Sequence, residues 1–120
     1  MLATNLLVWG MLAHLIADWL LQNRWMADHK ATLRHPAAWV HGGIHGLALA
    51  FVFPPAIAGL LALSHLLIDT RKPVAWWTRA YLQPTDGPAA LHVAIWADQV
   101  AHLAVIALAA LWVAGKVSLG

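Results

Sequence analysis

The sequence predicts an all-α integral membrane protein, a four-helix bundle with a short extracytoplasmic turn and longer cytoplasmic connectors. Its composition is 62% hydrophobic and only 10% charged, against roughly 25% charged in ordinary soluble domains, and its mean hydropathy is +0.69. Four apolar stretches, 2–21, 37–53, 55–70 and 89–114, are punctuated by prolines and charges. The Lys and Arg residues gather in two of the connectors. A chain of 120 residues allows one transmembrane domain, 1–120, and no second one. Cysteine is absent, which excludes disulfides and thiolate metal sites. The net charge of +2 is too dispersed for a nucleic-acid surface.

The first stretch, Leu2 to Leu21, has Thr4 or Asn5 as a candidate cap. About 20 residues rising 1.5 Å each cross a hydrocarbon core of about 30 Å. No Lys or Arg precedes it and no small-residue cleavage pattern interrupts it, so a retained span is expected, not a signal peptide. The polar connector from Gln22 to His35 follows. Pro36 suits the first turn of the second helix, which is expected to end at Phe53 before the break at Pro54-Pro55. The third helix is expected to end near Asp69 or Thr70, ahead of Arg71-Lys72-Pro73. Both are short for spans, which implies a thinned bilayer or a wet cytoplasmic end. Val74 to Leu82, with Trp76, Trp77, Arg79 and Tyr81, reads as an interfacial stretch. After a turn at Pro84 to Pro88, the fourth helix is expected over Ala89 to Ala114, with Gly115 as its terminator.

Loop charge gives the orientation. Arg24, Lys30 and Arg34 follow the first helix, and Arg71, Lys72 and Arg79 follow the third, while the Pro54-Pro55 link carries none. The positive-inside rule puts both long connectors in the cytoplasm and both termini outside. Trp9 and Trp112 then fall towards the outer interface, and Trp25, Trp39, Trp76 and Trp77 towards the inner one. On this reading the connector cations are topology determinants, and for Arg24, Lys30, Arg71 and Lys72 a role in holding a phosphate or lipid headgroup is secondary.

Against this apolar background stand four pairs of ionisable residues with i,i+4 spacing: His14/Asp18, His41/His45, His65/Asp69 and Asp98/His102. Such pairs share one helix face, and with alternating helix directions all eight residues reach one level in the inner half of the membrane. Ionisable groups in spans generally face the bundle interior and mark function. Five imidazoles and three carboxylates suit Zn, Mn or Fe, Zn best. Eight groups exceed one tetrahedral site, so two divalent transition-metal ions are expected, as in dinuclear bundle sites. The expected metal ligands, or their immediate supports, are His14, Asp18, His41, His45, His65, Asp69, Asp98 and His102. Asp18 or Asp98 is the expected general base. Gln22 and Gln99 are placed to orient a ligand or water. Gly42, Gly43 and Gly46 suggest close helix packing. His29 and His35 are expected to be solvated, and His92 faces away from the Asp98/His102 side.

Two metals can activate a water and stabilise the attacking and leaving oxygens of ester or phosphoester hydrolysis. The expected function is a hydrolase acting on a lipid or phosphate-containing substrate at the cytoplasmic leaflet. Haem ligation by the histidines is an alternative that leaves the three Asp unexplained. A metal or proton permease is another, set against the apolar stretches Leu47 to Phe53 and Ala104 to Trp112. The small core is compatible with a homo-oligomer.

The motifs His14-x3-Asp18-Trp-Leu-Leu-Gln22, Trp25-Met26-Ala27, Lys30, His41 and His45, His65-x3-Asp69-x2-Lys72-Pro73 and Asp98-Gln99-x2-His102 resemble a family of small bacterial inner-membrane proteins classified as a domain of unknown function. That resemblance implies a bacterial inner-membrane location and no stated activity. The His/Asp pattern on short spans also looks like membrane-bound metal-dependent hydrolases, which implies hydrolysis by analogy of the site alone.

Overall fold

Prolines and capping side chains divide the chain into six helices with no strand, as seen in a computed structural model describing residues 1–120. The all-α class holds. Helix α1 runs Leu2–Leu15 and continues through one π-helical stretch, Ile16–Leu20, in which the Leu21 N–H donates to the Ile16 carbonyl at 3.0 Å. The Asn23 side chain accepts from the Met26 N–H at 3.0 Å and starts α2, Arg24–His29. The His35 Nδ1 accepts from the Ala37 N–H at 3.1 Å and caps α3, Pro36–Ala50. Helices α4, Pro55–Asp69, and α5, Lys72–Ala80, each carry a proline in the first turn, as does α6, Gly87–Ser118. A proline there sacrifices no helical hydrogen bond.

Several boundaries correct the sequence expectations. The connector 22–35 contains a helix, because Asn23 supplies a cap that hydropathy does not register. The stretch expected to be interfacial is α5, beginning at Lys72. Helix α6 starts at Gly87 and passes through Gly115 to Ser118, since a glycine in an apolar run weakens a helix without ending it. Two helices, Leu2–Leu20 and Gly87–Ser118, are long and apolar enough to cross a membrane. At 15 residues each, α3 and α4 rise only about 22 Å.

Close approach at small residues sets the packing. A Cβ on Gly42 would lie 2.8 Å from the Leu66 side chain, and one on Gly46 would lie 3.2 Å from Ala62, so α3 lies tight against α4. Gly43 meets nothing within 4 Å and plays no part in that contact. A Cβ on Gly10 would lie 2.8 Å from Ile106 and 2.9 Å from Phe53, which draws α1 onto α6. Leu49, Phe53, Ala58, Leu61, Ile106 and Ala110 form an apolar core at the end of the bundle where α3 turns into α4. Outside, many large apolar side chains are exposed. All eight tryptophans are exposed, together with Leu47, Phe51, Leu60, Leu108 and Leu111.

Candidate metal centre

Each of the four helices brings its inward ionisable residues to the same level. His14 and Asp18 come from α1 and its π extension, His41 and His45 from α3, His65 and Asp69 from α4, and Asp98 and His102 from α6. Seven of the eight are buried, His45 completely; Asp98 is the half-buried member. Within three groups, one ligand atom from every residue lies within 4.8 Å of the others: Asp18, His41, His45 and His65; His14, His65 and His102; Asp69, Asp98 and His102. The three groups together use all eight residues. His65 joins the first two and His102 the last two.

Two carboxylate oxygens sit at the centre. Asp18 Oδ1 is 3.2 Å from His41 Nε2 and 3.6 Å from His45 Nε2. Asp69 Oδ2 is 3.3 Å from His41 Nε2 and 3.0 Å from His65 Nε2. Asp69 Oδ1 lies 3.1 Å from His102 Nε2, which is 3.6 Å from Asp98 Oδ2. Yet the Nε2 atoms of His41, His45 and His65 make no hydrogen bond: His45 is too far from its oxygen at 3.6 Å, while His41 and His65 are near enough but out of line. Buried polar atoms at hydrogen-bond distance but out of line carry the full cost of desolvation. Atoms that share a cation have this relation, since they point at a common centre and not at each other. With Zn–N and Zn–O bonds of about 2.0–2.2 Å, adjacent ligands of a tetrahedral site lie about 3.3 Å apart. The observed separations bracket that value, so the donor set fits a transition metal.

Gln99 ties the carboxylates together. Its Nε2 donates to Asp18 Oδ2 at 2.8 Å and to Asp98 Oδ2 at 3.2 Å, and its Oε1 lies 3.2 Å from His14 Nε2. The Gln99 oxygen can only accept, so this contact calls for the proton of His14 on Nε2.

Lys30 corrects the sequence expectation. On the sequence alone it is a topology determinant and is left out of the site. In the structure its side chain is only 15% exposed, and Nζ lies 3.2 Å from Asp18 Oδ1 and 3.6 Å from Asp69 Oδ2. The ammonium faces the same two oxygens as His41. No spacing or hydropathy signal in the connector marks Lys30 as a site residue. Arg24, by contrast, makes only an exposed 3.4 Å pair with Asp28. His29 stacks on His35 at 4.2 Å near the surface, and His92 is exposed; none of these three joins the centre.

The five site imidazoles pack on one another. Ring centroids are 3.5 Å apart for His45 and His65 and 4.2 Å apart for His65 and His102. Such stacking leaves no slot for a porphyrin plane between these rings. Below the carboxylates opens a cavity of about 510 Å3, with Asp18, Asp69 and Asp98 on its floor and α5 and the first turns of α6 as its walls. Arg71 makes this possible. It adopts a left-handed conformation, φ 65°, which costs a non-glycine residue about 1–2 kcal/mol and turns the chain sharply from α4 into α5.

No curated protein and no solved structure matches the chain. The family described as "Protein of unknown function (DUF3307)" matches residues 6–119, nearly the whole sequence and every residue of the centre, and the chain belongs to that family.

Proposed function

We propose that this protein is a membrane-embedded, dinuclear metal-dependent hydrolase that cleaves an ester or phosphoester at the cytoplasmic leaflet. One observation carries it: the buried Nε2 atoms of His41 and His65 stand 3.0–3.3 Å from carboxylate oxygens without hydrogen-bonding to them. A structural His/Asp network would turn its rings into line. A pair of divalent transition-metal ions, zinc first among the candidates, would supply Lewis acidity and a neutral-pH nucleophile.

The chain's own residues divide the remaining work. Asp18 and Asp69, each facing several imidazoles and Lys30, are ligands or bridges and have no freedom to carry protons. Asp98 lines the cavity, is partly exposed and has fewer partners, so it is the general base that takes a proton from the attacking water. Lys30 offers a positive charge on the cavity side of the carboxylates, where negative charge develops on the substrate. Gln99 holds Asp18 and Asp98 in register.

The membrane reading rests on the apolar exterior, the exposed tryptophans and the two long apolar helices. Helices α3 and α4 complete a four-span bundle in a locally thinned bilayer, with both termini outside and the cavity on the cytoplasmic side, among Lys30, Arg71 and Arg79. A permease is disfavoured by the apolar core one turn beyond the histidines, which closes the outer half.

Elemental analysis of protein purified without chelators tests the proposal, with His65→Ala and Asp69→Ala alongside. The expected result is about two metal ions per chain in the parent and loss of metal in both variants, with helix content retained by circular dichroism. Metal-free parent protein that stays folded and unchanged on zinc addition would overturn it.

A further inference from the structure

The cavity has two unlike walls. Arg71, Arg79 and Lys30 give it positive charge next to the carboxylate floor, whereas Val74, Ala75, Ala90, Leu91, Ala94 and Ile95 form an apolar side. The apolar side does not stop at the cavity, because Leu91 and Ile95 remain exposed on the outer surface of α6. The volume, about 510 Å3, falls within the roughly 300–1,000 Å3 of small-molecule sites. Gln22 also lines it, and its amide oxygen is buried without a partner, which leaves a polar group facing the cavity unsatisfied.

A neutral ester would leave two guanidinium groups without use. A small free phosphate would leave the apolar side bare. We infer that the cavity binds an amphiphile with a phosphate headgroup and an alkyl chain, the phosphate held by Arg71 and Arg79 and the chain laid along Leu91, Ala94 and Ile95. Planar guanidinium groups match phosphate oxygens in pairs. Asp98 and Lys30 line the same cavity, so a substrate held there is within reach of the carboxylate floor. This inference specifies the substrate class of the hydrolase proposed above and rests on that reading for the reaction, though not for the binding.

The test is binding, with no turnover needed. Dodecyl phosphate, inorganic phosphate and dodecanol are titrated into the full-length protein in a maltoside detergent, with metal content measured on the same preparation. Dodecyl phosphate should bind at least tenfold more tightly than inorganic phosphate, and dodecanol should not displace it. Arg79→Ala and Arg71→Gly, the latter keeping the left-handed turn, should each weaken dodecyl phosphate about tenfold without changing metal content. Ala94→Trp, which fills the apolar side, should weaken dodecyl phosphate and leave inorganic phosphate alone.

Equal affinity for inorganic and dodecyl phosphate would overturn the amphiphile. Binding of dodecanol as tight as that of dodecyl phosphate, or indifference to both arginine variants, would overturn the phosphate anchor. If the protein holds metal and these preferences are missing, this inference falls and the metal reading stands. If it holds no metal and the arginine-dependent preference persists, the metal reading falls and the inference stands.

Discussion

On each of the four long helices, one turn separates two kinds of interior. Moving four residues along the same face takes His45 to Leu49, His65 to Leu61, His102 to Ile106 and His14 to Gly10. At one level the interior holds imidazoles and carboxylates; at the next it is the apolar core closed by Phe53. The two levels share helices, directions and spacing, so backbone geometry does not distinguish them. They differ in what holds them. The apolar level depends on close packing at Gly10 and Phe53. The histidine level is held by contacts between imidazoles, carboxylates and Lys30, and its donor set could hold a metal ion.

Asp69→Ala should have the largest effect. It removes the contact shared by His41, His65, His102 and Lys30 and leaves an ammonium buried with one partner fewer, a change that costs about 3–5 kcal/mol when a buried pair is broken. Elemental analysis should find the metal lost and thermal unfolding should come earlier. Phe53→Ala should also destabilise, by about 3 kcal/mol, but folded protein should keep its full metal content. Loss of metal in Phe53→Ala would mean that the two levels are not separable. Gly10→Ala crowds Ile106 and Phe53 and should cost about 1–3 kcal/mol in a melt. Gly43→Ala, with open space around it, should be neutral or stabilise by up to about 1 kcal/mol. Lys30→Met sharpens the comparison from the chemical side: metal content should hold while hydrolysis of a phosphoester falls at least tenfold, a change in turnover that stability does not register.

The eight residues of the centre were legible because i,i+4 spacing on an apolar helix has few other meanings. The class of fold followed from composition and proline placement. Lys30 was not legible, since nothing in a connector's sequence says whether a lysine points to water or back across the site. The cavity's walls were hidden for a related reason. Helix α5 has cations and tryptophans suited to a membrane surface, and only the sharp turn at Arg71 shows that it folds beside α6. Gln99 was visible as a polar neighbour of Asp98, but its reach to Asp18 and His14 depends on how α1 crosses α6.

The π-helical stretch Ile16–Leu20 has a consequence for how the first carboxylate is aimed. Such turns are rare, interrupt α-helices singly and gather at functional sites. Asp18 lies inside this one. The i→i+5 pattern puts more backbone into the turn than an α-helix would, so Asp18 stands displaced around the helix axis from the position a regular turn after His14 would give it. The approach of its carboxylate to His41 and Lys30 is therefore set by an irregularity of the backbone as well as by the choice of side chain.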